Sequence, residues 1–354
     1  SIKVRCLLFQ SRGSSNIPLR SITAELPYGL ATAGSGRLVD ELSRMAIGLV
    51  VPEGDSAPIP VRAGTTSYDA LRAYLRAEAS FRSWELENAR SRLREALRLD
   101  PSFPRANLRL AQIGQWVRDS VGSWRPFLQA ATRSGEGLGQ TERLAAQGLQ
   151  LLADSSYAEA CTAYRNLVTA DSSDFVGWFG LGECNLWDEV VVADPGQGGR
   201  LAFRGSYAEA QRAYLRALQS VPLAHRVARE VIIPRLFLVL PTSTWLRPGR
   251  RGDQYFSAWT GWEGDTIVFH PIPTADLTSG KGPMQSATAD RAFGHSRATL
   301  KAVVDEWIRL FPASGSAWAA RGAVLERLQV LDGDSSAVAA VARALTLTTD
   351  DGAR

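Results

Sequence analysis

The sequence predicts a mainly α-helical protein: a solenoid of paired helices, with a small α/β unit at its N-terminus and a long, irregular, tryptophan-rich insert. Three observations lead there. Within FVGWFGLGECNL, Trp178, Leu181 and Gly182 fall on one side of a helix, and a glycine there admits a partner helix at close range. Ala210, Tyr214 and Ala217 then carry the small–aromatic–small face of a second helix, closed by Pro222. Related faces recur at Ala89, Leu93 and Ala96 and at Tyr157, Ala160, Tyr164 and Leu167, so the unit is repeated.

The order W-x2-L-G, then A-x3-F/Y-x2-A, then proline is that of the tetratricopeptide repeat (TPR), a helix–turn–helix unit of about 34 residues. Taken in order, residues 1–52 read as a partial α/β unit of two strands and one helix. Ile2, Val4, Cys6 and Leu8 alternate with polar neighbours, residues 18–26 form a second strand, and Leu38, Leu42, Met45, Ala46 and Leu49 share a helical face. A lone hairpin is marginally stable, so these strands are expected to complete a sheet beyond this chain. The first residue is Ser1 rather than methionine, consistent with a processed or partial product. Residues 53–66, rich in proline and glycine, are a linker.

The solenoid is placed at residues 67–240. A first repeat ends at Pro101; a second opens with Leu110 and Ala111 and matches weakly through Trp124 and Phe127. The third carries Leu144, Gly148 and Leu151, and the fourth is the unit first described. That fourth repeat is interrupted at 188–206, where two β-prone runs around a Pro/Gly turn read as a hairpin. A fifth first helix, HRVAREVIIPRLFLVL, is expected to kink or end at Pro234. Residues 241–294, with Trp245, Trp259, Trp262 and Phe269 among many glycines and prolines, form the irregular insert. Residues 295–354 return to TPR-like helices, with Trp318 and Gly322 opening the last repeat.

Composition narrows the function. Of 40 basic residues all but Lys3, Lys281 and Lys301 are arginine, but they alternate with Glu, Ala and Leu along helices, as on a solvated face. No basic block or aromatic–basic motif appears, so nucleic acid is not an expected partner. No run is long and apolar enough for a membrane span. Cys6, Cys161 and Cys184 lack metal-ligand spacing; Cys161 and Cys184 replace small residues on adjacent helices and are expected as buried, reduced thiols. No metal, cofactor or catalytic residue is expected.

The stretch LVDELSRMAIGL, the junction TTSYDALRAYLRAEASFRSWELENARSRLREALRLDP and the segment WFGLGECNLWDEVVV together resemble the C-terminal TPR region of bacterial multidomain regulators, in which a serine/threonine protein kinase is joined to a TPR array. The resemblance implies the sensing or docking part of a signalling protein, on the extracytoplasmic or cytoplasmic face of a bacterial cell, the former preferred. The chain carries no H-R-D, D-F-G or glycine-rich ATP loop, so kinase activity would lie outside it.

Two readings of function follow. In the first, the chain is a non-enzymatic scaffold that recognises a protein or peptide segment or another copy of itself. Its groove is lined by repeat positions about 130° from the face that meets the partner helix: Leu71, Tyr74, Glu78, Phe81, Leu108, Leu149, Leu152, Val176, Phe179, Glu183, Leu186, Arg226 and Arg229. A stripe so apolar is expected to be covered, by residues 241–294 or by a partner, with its basic end taking an acidic group or a terminal carboxylate. Tyr74 and Phe179 are then the binding residues, and Arg250 and Asp253 matter little. In the alternative, the tryptophan-rich insert binds a small ligand or carbohydrate. Its enzymatic form would pair Asp253, Glu263, Asp265 or Asp276 beside Trp259, Trp262 and His270.

Overall fold

The computed structural model describes residues 2–8, 20–26, 64–133, 137–194, 198–221, 226–241, 248–263, 266–279 and 287–351, the first two segments as backbone. The chain divides into two compact units, Ser1–Ala146 and Gln147–Arg354. The architecture is a TPR-like array of antiparallel helix pairs with a few short strands.

At the N-terminus β1 (Ile2–Leu8) pairs antiparallel with β2 (Arg20–Leu26), Ile2 opposite Leu26. The helix expected at residues 38–49 and most of the linker lie outside the described residues. In the first unit α1 (Tyr68–Arg82) packs on α2 (Leu86–Leu99), and α3 (Pro104–Trp116) on α4 (Val121–Arg133). Ser67 caps α1, its hydroxyl accepting from the Ala70 amide, a bond of the kind that contributes about 1 kcal/mol. The weakly matching second repeat is regular: a Cβ on Gly114 would lie 2.8 Å from Trp124, so α3 and α4 meet through glycine against an aromatic ring.

Helix α5 (Gln140–Ala153) crosses the boundary between the units. In the second unit come α6 (Tyr157–Ala170) and α7 (Phe175–Trp187), then β3 (Val191–Asp194) and β4 (Arg200–Phe203), then α8 (Tyr207–Ser220) and α9 (Arg226–Val239). The glycine logic holds here too. A Cβ on Gly148 would stand 2.7 Å from Tyr164, one on Gly182 2.5 Å from Tyr214, and one on Gly322 2.6 Å from Val341. The repeat tryptophans also act alike: Trp178 Nε1 donates to Ser172 O and Trp318 Nε1 to Pro312 O, each at 2.8 Å and six residues back. Each indole ties its helix to the loop that precedes it.

The turns inside the repeats share one geometry that leaves no glycine signature. Trp84, Arg118, Ser155 and Gln329 have φ between 56° and 66°, each two residues past the end of a first helix. The following amide reaches back to close the helix, as in Glu85 N to Ser80 O and Ser156 N to Leu151 O, both 2.9 Å. In the fourth repeat this turn is replaced by the β3–β4 hairpin, which pairs Val191 with Phe203 and Asp194 with Arg200 as expected for 188–206.

Three expectations are corrected. Cys161 on α6 and Cys184 on α7 are not reduced thiols but a disulfide, because the two small-residue positions face each other with Cα atoms 5.5 Å apart. Pro234 does not end α9; the helix runs through to Val239 with the proline ring on its exposed side, where a missing backbone donor is tolerated. The insert is not irregular throughout. Residues after 247 form a three-stranded antiparallel sheet of β5 (Pro248–Arg251), β6 (Gln254–Glu263) and β7 (Thr266–Pro273), followed by the short α10 (Thr274–Thr278). Helix α11 (Ala287–Leu310) begins before residue 295, and α12 (Gly315–Arg327) and α13 (Ala337–Asp351) complete the unit. Among the described residues no helix is long and apolar enough to cross a membrane.

Candidate functional site

The expected groove residues are found inside the helical layers. Tyr74, Leu108, Leu149, Phe179, Glu183, Leu186 and Arg229 are buried, and Leu71, Glu78, Phe81, Leu152 and Val176 are half-buried. Arg226 lies in α9 with its side chain outside the described set. Around Tyr74, Glu78 and Phe81 the cover comes from α3 and the residue that precedes it, and around Phe179 and Glu183 it comes from α8 and α9. In the first unit the Tyr74 ring meets Phe103, with centroids 4.9 Å apart. Arg109 Nε donates to Glu78 Oε1 at 2.8 Å, its guanidinium standing 4.6 Å above Phe81. Burial, ahead of the nearby carboxylates, holds the Tyr74 phenol neutral far above the usual tyrosine range.

The second unit repeats the arrangement with full burial. Glu183 on α7 accepts from Tyr214 Oη at 2.8 Å and Arg235 Nε at 3.1 Å on one oxygen, and from Trp187 Nε1 at 3.2 Å on the other. Arg235 also donates to Val231 O and lies 5.3 Å over the Phe179 ring. Tyr74 and Phe179 therefore serve the packing between repeats before they serve any partner.

A different surface is assembled where the two interruptions of the repeat meet. The first insertion is clamped at its base. Arg204 grips the buried Asp188 with both arms, Nε to Oδ2 at 2.7 Å and Nη2 to Oδ1 at 3.0 Å. Asn185 Oδ1 accepts from Ser206 N at 3.0 Å, and only glycine fits at 205, where a Cβ would stand 2.7 Å from Asn185 O. The second insertion then docks on the first. Val190 bridges to Arg250, Arg250 N donates to Glu189 O at 3.0 Å, and a Cβ on Gly249 would fall 2.4 Å from the Phe203 ring. Strand β7 lies beside β4 without a shared ladder.

Between β4, β7 and the start of α8 is a cleft of about 210 Å³, walled by Phe203, Tyr207, Ile267 and Phe269, with Arg200, Arg212, Glu263 and His270 as its ionisable lining. Tyr207 meets Phe269 edge to face at 4.8 Å. Arg200 Nη2 donates to His270 Nδ1 at 2.9 Å, which places the ring proton on Nε2, 3.5 Å from Glu263 Oε1. Arg212 is ion-paired with Glu209, one turn away on its own helix.

Burial, then the Arg200 charge, lowers the His270 pKa, and Glu263 opposes them. The unfolded chain therefore takes up this proton first. The contribution of His270 to stability is intact above about pH 6.5 and is lost as pH falls from there to the lowered native value. An NMR titration of the ring is expected to give a midpoint below 6.5, rising in Arg200→Gln and falling further in Glu263→Gln. A midpoint at the free-histidine value in all three would contradict the geometry.

Trp259 and Trp262, the described tryptophans of the insert, do not line this cleft. Trp262 packs on α11, 5.2 Å from His295 and under the Arg291 guanidinium at 4.9 Å. Trp245 and Asp265 lie outside the described residues. Asp253 sits in the exposed β5–β6 turn, at the far end of a ten-residue strand from Glu263. At about 3.3 Å per residue the two carboxylates stand roughly 30 Å apart, far beyond the separation that glycoside hydrolysis uses. Asp276 follows the end of β7 that pairs with Phe256, again remote from Glu263.

No protein-family model matches the chain, and no curated protein matches it. Solved structures similar to it include a human IFIT1 dimer with m7Gppp-AAAA, at 12% identity over 91% of this chain and 70% of that chain with a TM-score of 0.33. A monomeric IFIT1 mutant with Gppp-AAAA is 11% identical over 90% and 70%, with a TM-score of 0.34. At these values the likeness carries no inference about ligands.

Proposed function

We propose that the chain is a non-catalytic TPR scaffold that docks a segment of another protein, with the cleft between its two insertions as the reading surface. One observation carries this. Two segments that the repeats do not need, separated in sequence by α8 and α9, converge on one accessible cleft, while seven of the residues expected to line the groove are buried. A lining mixing aromatic walls with a few polar groups suits an extended segment with one anchoring side chain. The volume, about 210 Å³, is below the range of about 300–1,000 Å³ usual for small-molecule sites, which suits one anchoring side chain.

Self-association is the second reading, favoured by α13. It exposes Val338 (66%), Val341 (45%) and Leu345 (64%) along one face, apolar surface of the kind that marks contact with another chain. The disulfide suits an oxidising compartment, in keeping with the extracytoplasmic placement that the resemblance to kinase-linked regulators implies. On this reading the chain is the docking part of a signalling protein.

Selection of a random peptide library on the full chain tests the proposal. Peptides that bind and are lost on Ala208→Arg, which fills the cleft from the half-exposed start of α8, are the expected result. Binders indifferent to that change, or none, would remove the cleft from consideration.

A further inference from the structure

We infer that the cleft between β4, β7 and α8 recognises an acidic side chain flanked by apolar residues on the partner segment. This rests on the docking role proposed above and adds its chemistry. The inference comes from how the charges around the cleft are spent.

Arg212 shares its charge with Glu209, and Glu263 turns its carboxylate toward His270. Arg200 differs. Its described contact is with a neutral ring nitrogen, so its positive charge meets no carboxylate among the ion pairs of the described residues. A guanidinium carries five N–H donors, and one is directed to His270 Nδ1 while the exposed head keeps others available. The bond to His270 fixes the arginine at the rim, lowering the entropy lost when a ligand arrives. Below it the Phe203, Tyr207 and Phe269 rings offer apolar wall.

Glu263 and Glu209 face His270 and Arg212, and the start of α8 adds to the charge of Arg200. The cleft is bounded by the first turn of the fourteen-residue helix α8, capped by Ser206, where the positive end of the helix dipole lies. An incoming lysine or arginine would meet Arg200 and Arg212 at close quarters; a neutral segment would leave the remaining Arg200 donors without a charged acceptor. A carboxylate between apolar neighbours answers both the rim and the walls, with two oxygens matched to the planar fork of arginine.

The experiment uses the full chain and two blocked tripeptides, Ac-Phe-Asp-Phe-NH2 and its isosteric Asn analogue, with binding followed by NMR at Arg200 Nε and the Phe269 ring. The Asp peptide is expected to bind at least tenfold more tightly, with an advantage that shrinks as salt is raised. Arg200→Gln should abolish that difference and leave the weak apolar binding common to both. Equal affinity of the two peptides, or a preference that survives Arg200→Gln, overturns the inference. Inorganic phosphate binding at Arg200 without preference for the Asp peptide would make the cleft a small-anion site and also overturns it. If neither tripeptide binds while neutral library peptides do, the acidic preference fails and the docking role stands; if the library too is silent, both fail.

Discussion

Glu183→Ala is expected to lower the stability of the second unit by about 3–5 kcal/mol, because it strands a buried guanidinium. Arg235 and Glu183 have side chains 5% and 7% exposed, and Tyr214 and Trp187 direct their donors to the same carboxylate. Removing the acceptor leaves those donors and a full positive charge in apolar surroundings. Urea denaturation of the full chain should show a clear loss in midpoint, larger than for Arg235→Met. Replacing both partners at once, as Glu183→Leu with Arg235→Met, should recover most of the loss, since the desolvation cost disappears with the charges. Additive losses in the double variant would mean that the pair is not coupled as its geometry requires.

The second large effect belongs to the Cys161–Cys184 bond. It closes a loop with a sequence separation of 23, for which the chain-entropy argument gives about 3 kcal/mol of stabilisation. Cys161→Ser with Cys184→Ser should therefore unfold at lower urea, while the parent chain under strong reductant should fall to the same midpoint. The check on the bond itself is chemical. Without reductant, a thiol reagent applied to the unfolded chain should leave Cys161 and Cys184 unmodified and find Cys6. Labelling at either helix position would restore the reduced pair that the sequence suggested.

Why that pair was misread illustrates what is legible in this chain. Trp178, Leu181, Gly182, Tyr214 and Ala217 could be read because each repeat advertises its own pairing: a small residue on one helix, a ring on the next, at fixed spacing. The two cysteines occupy such small positions and look like filler until α6 and α7 are set in register. The turns at Trp84, Arg118, Ser155 and Gln329 were silent because their left-handed backbone is held by reverse hydrogen bonds and not by glycine. Strand β6 hid for another reason. Phe256, Ser257 and Ala258 are buried in succession, with β6 packed on α11 and its neighbours β5 and β7 beside the first insertion, so no alternation marks it. The groove residues were placed on a real helix face, but helical periodicity does not say whether a neighbour or solvent lies beyond it. The cleft was the least visible feature, as its parts come from residues 200–212 and 263–270 and only the docking of one insertion on the other brings them together.

The clamp at the foot of the first insertion separates two properties that most binding loops trade against each other. Asp188, Arg204 and Ser206 bring the chain back to the point it left, so repeat four meets the same boundary condition whatever lies between. Closure entropy is then settled at the stem and changes only slowly with the length of what is looped out. The hairpin can lengthen, shorten or exchange its tip residues as an interchangeable reading head, while the stack of helices beneath it senses little of the change. Variation among related chains should accordingly concentrate distal to this stem and spare the five or so positions that tie it.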